Sequence, residues 1–163
     1  MVQINRIKLV EICQGDQNIA RRLEDLFNQA YSTDIGAVTG TSLAVTGALT
    51  SSGTSGIGYA TGAGGTVTQV TSRTTGVTLN KVTGAVTLVS AAGSTAYQSF
   101  TVTNSTVAVT DTIVLNQVSG TDKYILMVTK VSAGSFQISF ATTGGTTTEQ
   151  PVFRFTVLKS VSA

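Results

Sequence analysis

The chain has 163 residues, of which only 11% are charged, and its formal net charge at neutral pH is +2. So small an excess does not predict nucleic acid as a partner, because nucleic-acid-binding surfaces need a concentrated basic patch. The single cysteine, Cys13, excludes an intrachain disulfide framework, and no run approaches the roughly 20 apolar residues of a membrane span. The apolar share of 41% suffices for a buried core and argues against disorder.

Residues 1–34 differ in composition from the rest, since they hold nine of the eighteen charged residues. The apolar spacing predicts an amphipathic helix over Gln17–Tyr31, whereas Ile4–Cys13 fits either a helix or a strand. DNA binding by a helix pair is disfavoured, because neighbouring acidic residues offset the arginines of the helix. We expect this segment to anchor the protein or to form a trimer interface. The apolar residues of that face are Ile19, Leu23, Leu26 and Phe27.

Residues 35–65 are rich in Gly, Ser and Thr and contain a short repeat. The unit Ala37-Val38-Thr39-Gly40 recurs as Ala44-Val45-Thr46-Gly47. Each unit has only one or two apolar residues, so a single chain could not bury this row, whereas three chains winding together could. The segment is therefore interpreted as an intertwined stalk, with a flexible linker as the alternative.

Residues 66–163 alternate Val, Thr and Ile with a period of two, and this pattern predicts a succession of β-strands. Eight short strands without a helical period indicate a mainly β domain, which we expect to be a jelly-roll-like β-sandwich. The predicted strands are Thr66–Thr71, Gly76–Asn80, Ala85–Ser90, Gln98–Thr103, Thr112–Val118, Tyr124–Val131, Ser135–Thr142 and Val152–Val161.

Two of these strands carry more specific expectations. Tyr124–Val128 is apolar without a break, so we expect both of its faces to be covered. Phe136, Ile138 and Phe140 alternate with polar residues, and they are expected in the core. Sheet edges rich in Thr and poor in Lys invite aggregation, so subunit packing is expected to cover them.

The sequence offers no recognisable catalytic set. Histidine is absent, so a Ser or Cys nucleophile lacks its usual base, and Cys13 is interpreted as a small buried hydrophobe. Asp111, Asp122 and Glu149 could in principle support glycoside hydrolysis, but all three fall in predicted turns, and the two aspartates are too sparse for a calcium loop. The glycines of Gly62–Gly65 lack the lysine of a phosphate-binding loop and are interpreted as a bend. We expect no enzyme activity, no cofactor and no metal site.

One stretch resembles a known family. GYATGAGGTVTQ, which begins at Gly58, is followed by TSRTTGVTLNKVTGAVTL, and together they are similar to the signature of a virion-domain family of tailed bacteriophages. The resemblance is close over Ile57–Leu88 and looser towards the C-terminus. In that family the domain occurs on head fibres, capsid decoration proteins and some tail-fibre-like proteins. No active site comes with the resemblance.

Together these observations lead us to expect a homotrimeric head fibre or capsid decoration protein on the capsid surface of a phage, made in the host cytoplasm. Its partners would be other copies of itself and the major capsid protein, with neither nucleic acid nor membrane. The alternative is a receptor-binding module of a tail fibre that contacts host surface glycan. A glycan-cleaving depolymerase would need paired carboxylates and a longer β-helical shaft.

Overall fold

The computed structural model describes residues 18, 19, 21–23, 25, 26, 45–51, 54 and 56–161. The chain divides into two compact units, Met1–Ser51 and Ser52–Ala163. In the first unit, residues 18, 19, 21–23, 25 and 26 are helical and fall within the predicted helix, and residues 45–51 are exposed and irregular. The predicted segment Ile4–Cys13 and the first copy of the repeat lie outside the described residues.

The second unit, called the β unit below, contains all the described strands. They are β1 Gly64–Thr68, β2 Val77–Thr78, β3 Thr83–Thr87, β4 Ala91–Ala92, β5 Gln98–Thr103, β6 Thr112–Ser119, β7 Tyr124–Ser132, β8 Ser135–Thr142, β9 Thr148–Glu149 and β10 Val152–Leu158. The expectation of a mainly β domain is thus confirmed. Its jelly-roll character stays a prediction.

The strands form two four-stranded sheets and one short ribbon. The first sheet has the order β1-β3-β10-β6, the second has the order β2-β5-β8-β7, and the ribbon pairs β4 with β9. Both large sheets are mixed, because β1 pairs with β3 and β2 pairs with β5 in parallel, while the remaining pairs are antiparallel. The edge strands are therefore β1 and β6 in the first sheet and β2 and β7 in the second.

An aromatic core joins the two large sheets. The ring centroids of Phe136 and Phe155 lie 5.1 Å apart, and those of Phe140 and Phe153 lie 5.5 Å apart, both pairs in edge-to-face geometry. Each pair takes one ring from β8 of the second sheet and one from β10 of the first. Burying a Phe side chain contributes roughly 1.5–3 kcal/mol, so these rings supply a large part of the stability.

Period-two alternation located several strands correctly. The bounds of β5 and β8 match the predicted Gln98–Thr103 and Ser135–Thr142, and Phe136, Ile138 and Phe140 are buried as expected. The bend predicted over Gly62–Gly65 is confirmed at Gly62, where φ is +93°, and is wrong at Gly64 and Gly65, which are the first two residues of β1. Strands β4 and β9 were missed, because two residues are too few to show a period.

The expectation that Tyr124–Val128 is covered on both faces is wrong within the chain. The segment lies in β7, an edge strand whose side chains alternate between the core and solvent. Ile125 is 44% exposed and Met127 is 40% exposed. The apolar run was insufficient to tell a fully buried strand from an edge strand with an apolar outer face, because both have the same composition.

Candidate functional site

The richest polar site of the β unit surrounds Arg73, in the segment between β1 and β2. Gln69 shapes this segment, because its backbone N–H donates to Thr87 O at 2.9 Å and its side-chain amide donates to the carbonyls of Arg73 and Thr75. The segment thereby turns back on itself and directs Arg73 inward. Arg73 is only 4% exposed.

All five N–H donors of the Arg73 guanidinium group have acceptors. Nε donates to Val89 O at 3.1 Å, and the two terminal nitrogens donate to three carbonyl oxygens of the β4–β9 ribbon and to the Tyr124 hydroxyl. The ribbon carbonyls belong to Ala91, Ala92 and Glu149. Arg73 therefore fixes the ribbon against the segment that precedes β2.

Two consecutive hydrogen bonds link Arg73 to a carboxylate through the Tyr124 hydroxyl. The Tyr124 hydroxyl accepts from Arg73 at 3.0 Å and donates to Glu149 Oε1 at 3.1 Å, while the guanidinium carbon lies 5.9 Å from the centre of the Tyr124 ring. Burial raises the pKa of Tyr124, and the adjacent Arg73 charge only partly offsets that rise. The hydroxyl thus stays protonated and can donate to the carboxylate.

The Glu149 carboxylate holds the turn between β6 and β7. It accepts from the backbone N–H of Thr121 and from that of Asp122, the second at 3.1 Å. Desolvation alone would raise the pKa of Glu149, but these backbone N–H donors, together with Tyr124 and Arg73, outweigh it and lower the pKa. Glu149 therefore acts as a charged acceptor for backbone groups.

Asp122 and Gln117 complete what we call the Arg73 cluster, defined as Arg73, Tyr124, Glu149, Asp122 and Gln117. The Asp122 carboxylate accepts from Thr147 N at 2.9 Å. The Gln117 amide donates to Asp122 O at 2.7 Å and accepts from Tyr124 N at 3.0 Å, so one side chain of β6 pairs with the backbone of the turn and with that of the first residue of β7.

Glycine is required where the chain closes over Asp122. A Cβ atom at Gly145 would lie 2.2 Å from Asp122 Oδ1, and one at Gly93 would lie 2.6 Å from Oδ2. Both distances are far below van der Waals contact. Only a chain without side chains at these two positions can approach the carboxylate so closely.

The structure separates the three candidate carboxylates into two places. Asp122 and Glu149 meet in the Arg73 cluster, whereas Asp111 precedes the first residue of β6 and so lies at its other end. Glu149 lies in strand β9 rather than in the predicted turn. The polar groups of the cluster form hydrogen bonds with backbone groups or with Arg73. This arrangement is suited to holding the β6–β7 turn and the β4–β9 ribbon together.

Asp111 forms a second, smaller polar site. Its Oδ2 accepts from Ala108 N at 2.8 Å and from Lys159 Nζ at 2.6 Å. The Ala108 N–H, and after it the Lys159 ammonium group, hold the pKa of Asp111 below its usual value. This contact fixes the segment after β10 beside the start of β6.

Sequence reasoning missed Arg73, although a signal was present. Arg73 is the single charged residue between Asp34 and Lys81. A lone charge in so long a neutral stretch indicates a specific partner, because an unpaired charge is costly to bury. The partners of Arg73 could not be identified from the sequence, because the most distant of them, Glu149, lies 76 residues further along the chain.

The proposed anchoring residues are only partly described. Ile19 and Leu26 are at least half exposed, Leu23 is half-buried, and Phe27 lies outside the described residues, as does Cys13. Within the described parts of the chain, no helix is long and apolar enough to cross a membrane. Over the same residues, no three acidic or Cys side chains gather as a metal site would need.

Comparison with known proteins adds no relative. No family model, no curated protein and no solved structure matches the chain.

Proposed function

We propose that the chain is a structural virion protein of a tailed phage, a homotrimeric head fibre or capsid decoration protein. Residues 1–34 would attach to the major capsid protein, residues 35–65 would form a stalk, and residues 66–163 would form a jelly-roll-like knob facing solvent. The resemblance over Ile57–Leu88 to a virion-domain family is the reason for proposing a phage particle. The chemistry of the β unit supports a structural role.

The observation that carries the proposal is the exposed apolar surface of the edge strands. Val114 and Val118 on β6 are about half exposed, as are Ile125 and Met127 on β7. Long uncovered edges and exposed apolar side chains favour association, and proteins that work alone usually protect them. Such a surface is expected in a protein that works as part of an assembly.

The internal use of the charged groups is a second support. Arg73 directs all five of its donors to the protein, and Glu149 accepts from two backbone N–H groups. A catalytic site instead needs groups that point at a substrate with donors or acceptors to spare. We accordingly assign the Arg73 cluster to stability and propose no reaction.

The molar mass of the full-length protein in solution tests the trimer. The mass by light scattering should be three times the 16.7 kDa of the protomer, or a multiple of that trimer. Removing residues 1–34 should abolish binding to purified capsids. A monomer at all concentrations would contradict the trimeric proposal.

The position of the protein on the virion tests its role. Labelled protein should appear at regular positions on the capsid surface in electron micrographs. Density confined to the tail would instead favour the receptor-binding alternative. Release of sugars from host polysaccharide by the purified protein would contradict a purely structural role.

A further inference from the structure

A segment before the β unit repeats the sequence of one of its inner strands. Residues 46–50 read TGALT and β3, Thr83–Thr87, reads TGAVT, so the two differ only by Leu in place of Val. A valine precedes both segments, Val45 in one case and Val82 in the other. We call residues 46–50 the donor segment. Because it has nearly the sequence of β3, it is suited to the strand contacts that β3 forms.

Strand β3 pairs with β1, and the other edge of β1 is regular and open. The parallel register runs without a shift along all five residues of β1, whereas the edge strands β6 and β7 have register shifts and β2 has only two residues. Just after β1, Gln69 N donates to Thr87 O at 2.9 Å, so alternation along the strand directs the backbone groups of Thr66 and Thr68 away from β3. Among the described residues, no backbone–backbone hydrogen bond outside the ladder with β3 involves β1.

The apolar layer between the two large sheets is incomplete beside β1. Val67 of β1 packs against the core but is only half-buried, and the same is true of Val77 in β2 and of Leu79 just after it. On the β3 side, Val67 pairs with the fully buried Val86. On the open side, a donor segment in the register of β3 would place Leu49, which is 60% exposed, beside Val67. Such pairing would remove apolar surface from water, which favours association.

Gly47 of the donor segment matches the one obstacle at this edge. The Lys81 side chain passes over Gly65, where a Cβ atom would lie 3.2 Å from Lys81 Cγ, and its Nζ donates to Gly62 O at 3.1 Å. In the register of β3, the residue beside Gly65 is Gly47, which has no side chain to meet Lys81. Among the described residues, nothing lies within 4 Å of a Cβ atom at Gly47, and its φ is outside the left-handed region. Close approach of a second backbone gives this glycine a reason.

We propose that the donor segment of one copy adds to β1 of a neighbouring copy as a parallel strand, in the register that β3 has on the other side. Ala48 then lies beside Thr66 on the outer face, and Leu49 lies beside Val67 on the inner face. The first sheet grows from four strands to five, and the edge-facing backbone groups of β1 gain partners. We assign the donor to a neighbouring copy because residues 45–51 are exposed and irregular in the single chain.

Donation in one direction suits a ring of copies. Each copy gives one segment and receives one, so the contact is head to tail, and such contacts either close into a ring or continue as a filament. A ring of three copies is the homotrimer proposed above. The inference rests on that proposed function and adds the strand contact that joins one copy to the next.

Cysteine cross-linking tests the contact in the full-length protein with Cys13→Ser. Paired residues of neighbouring strands have Cα atoms about 4.8 Å apart, which suits a disulfide. Ala48→Cys, co-expressed with a tagged Thr66→Cys chain, should therefore give a covalent mixed dimer on mild oxidation. In the matched control, Asn116→Cys replaces Thr66→Cys, since Asn116 is exposed on the opposite edge strand β6, and no mixed dimer should form. Equal yields from the two pairs would overturn the proposal.

A pair offset by two residues tests the register. Thr50→Cys with Thr68→Cys keeps the register and should also cross-link. Ala48→Cys with Thr68→Cys is two residues out of register, which places the Cα atoms about 8 Å apart, beyond the reach of a disulfide. Cross-linking of the offset pair as strong as that of the aligned pairs would overturn the proposed register.

Gly47→Val tests the fit beside Lys81. The added side chain would meet Lys81, so the cross-link between Ala48→Cys and Thr66→Cys should be lost. Gly58→Val is the matched control, because a Cβ atom at either glycine meets nothing within 4 Å among the described residues. Undiminished cross-linking in Gly47→Val would contradict the proposed strand contact.

The molar mass of the wild-type protein separates this contact from the trimer. A mass of three protomers without the cross-link would overturn the strand contact and leave the trimer standing. The cross-link in a protein of two protomers would support the strand contact and overturn the trimer. The mass of one protomer at all concentrations would overturn both.

Discussion

Replacing Arg73 tests whether the Arg73 cluster stabilises the β unit. In Arg73→Ala, four carbonyl oxygens and the Tyr124 hydroxyl lose their donor at a site where the native side chain is 4% exposed. Removing one member of a buried charged network costs about 3–5 kcal/mol. That is a large share of the roughly 5–15 kcal/mol that stabilises a typical domain. We therefore expect Arg73→Ala to lower the free energy of unfolding by about 4 kcal/mol.

Arg73→Lys separates charge from geometry. Lysine keeps the positive charge but has three donors on one nitrogen, so at least two of the five acceptors lose their partner. Two buried acceptors left unpaired, at about 1–3 kcal/mol each, would cost about 2–6 kcal/mol. Because Arg73→Ala leaves all five acceptors unpaired and is expected to cost about 4 kcal/mol, the loss for Arg73→Lys should lie between about 2 and about 4 kcal/mol.

Urea unfolding at one protein concentration measures both effects as a lower midpoint with an unchanged slope. Arg154→Ala is the control, because Arg154 is exposed on the outer face of β10 and its loss should change the unfolding free energy by at most about 0.5 kcal/mol. If Arg73→Ala were no more destabilising than Arg154→Ala, the assignment of a structural role to the cluster would be refuted.

Two further substitutions test the close approach at Gly145 and the charge of Asp111. Gly145→Ala should destabilise by about 1–3 kcal/mol because its Cβ atom would overlap Asp122, whereas Gly58→Ala, with nothing within 4 Å, should be nearly neutral in the same urea assay. The pKa of Asp111 is lower in the folded state, so its stabilisation is complete above the unfolded value of about 3.8 and is lost as pH falls through the folded value. The destabilisation caused by Asp111→Asn should therefore shrink between about pH 5 and about pH 2, and a constant difference would contradict stabilisation of the carboxylate by Ala108 N and Lys159.

The sequence alone was enough to locate the strands in which apolar and polar residues alternate strictly. In β8, Phe136, Ile138 and Phe140 point into the core, so periodicity located both the strand and its buried face. This succeeds because burial on one face of a strand imposes a local pattern of period two. The same reasoning explains why the interpretation of β5 was correct.

Features that depend on distant parts of the chain could not be predicted in this way. Arg73 meets Glu149 across 76 residues, and the parallel pairing of β1 with β3 depends on how the connecting segment passes over the sheet. Neither leaves a periodic trace.

The Arg73 cluster also positions the two edge strands β6 and β7, so its contacts affect both the stability of the fold and the surface offered for association. Strands β6 and β7 are connected by the turn of residues 120–123, and Glu149 and Gln117 bind the backbone of this turn. The turn thereby sets where each edge strand ends and which of its faces is outermost. A chain with so few charges places several of them where they fix the strands that carry its exposed valines, Ile125 and Met127. Loss of Arg73 should accordingly weaken the proposed self-association as well as folding, and both effects can be measured, by light scattering and by urea unfolding.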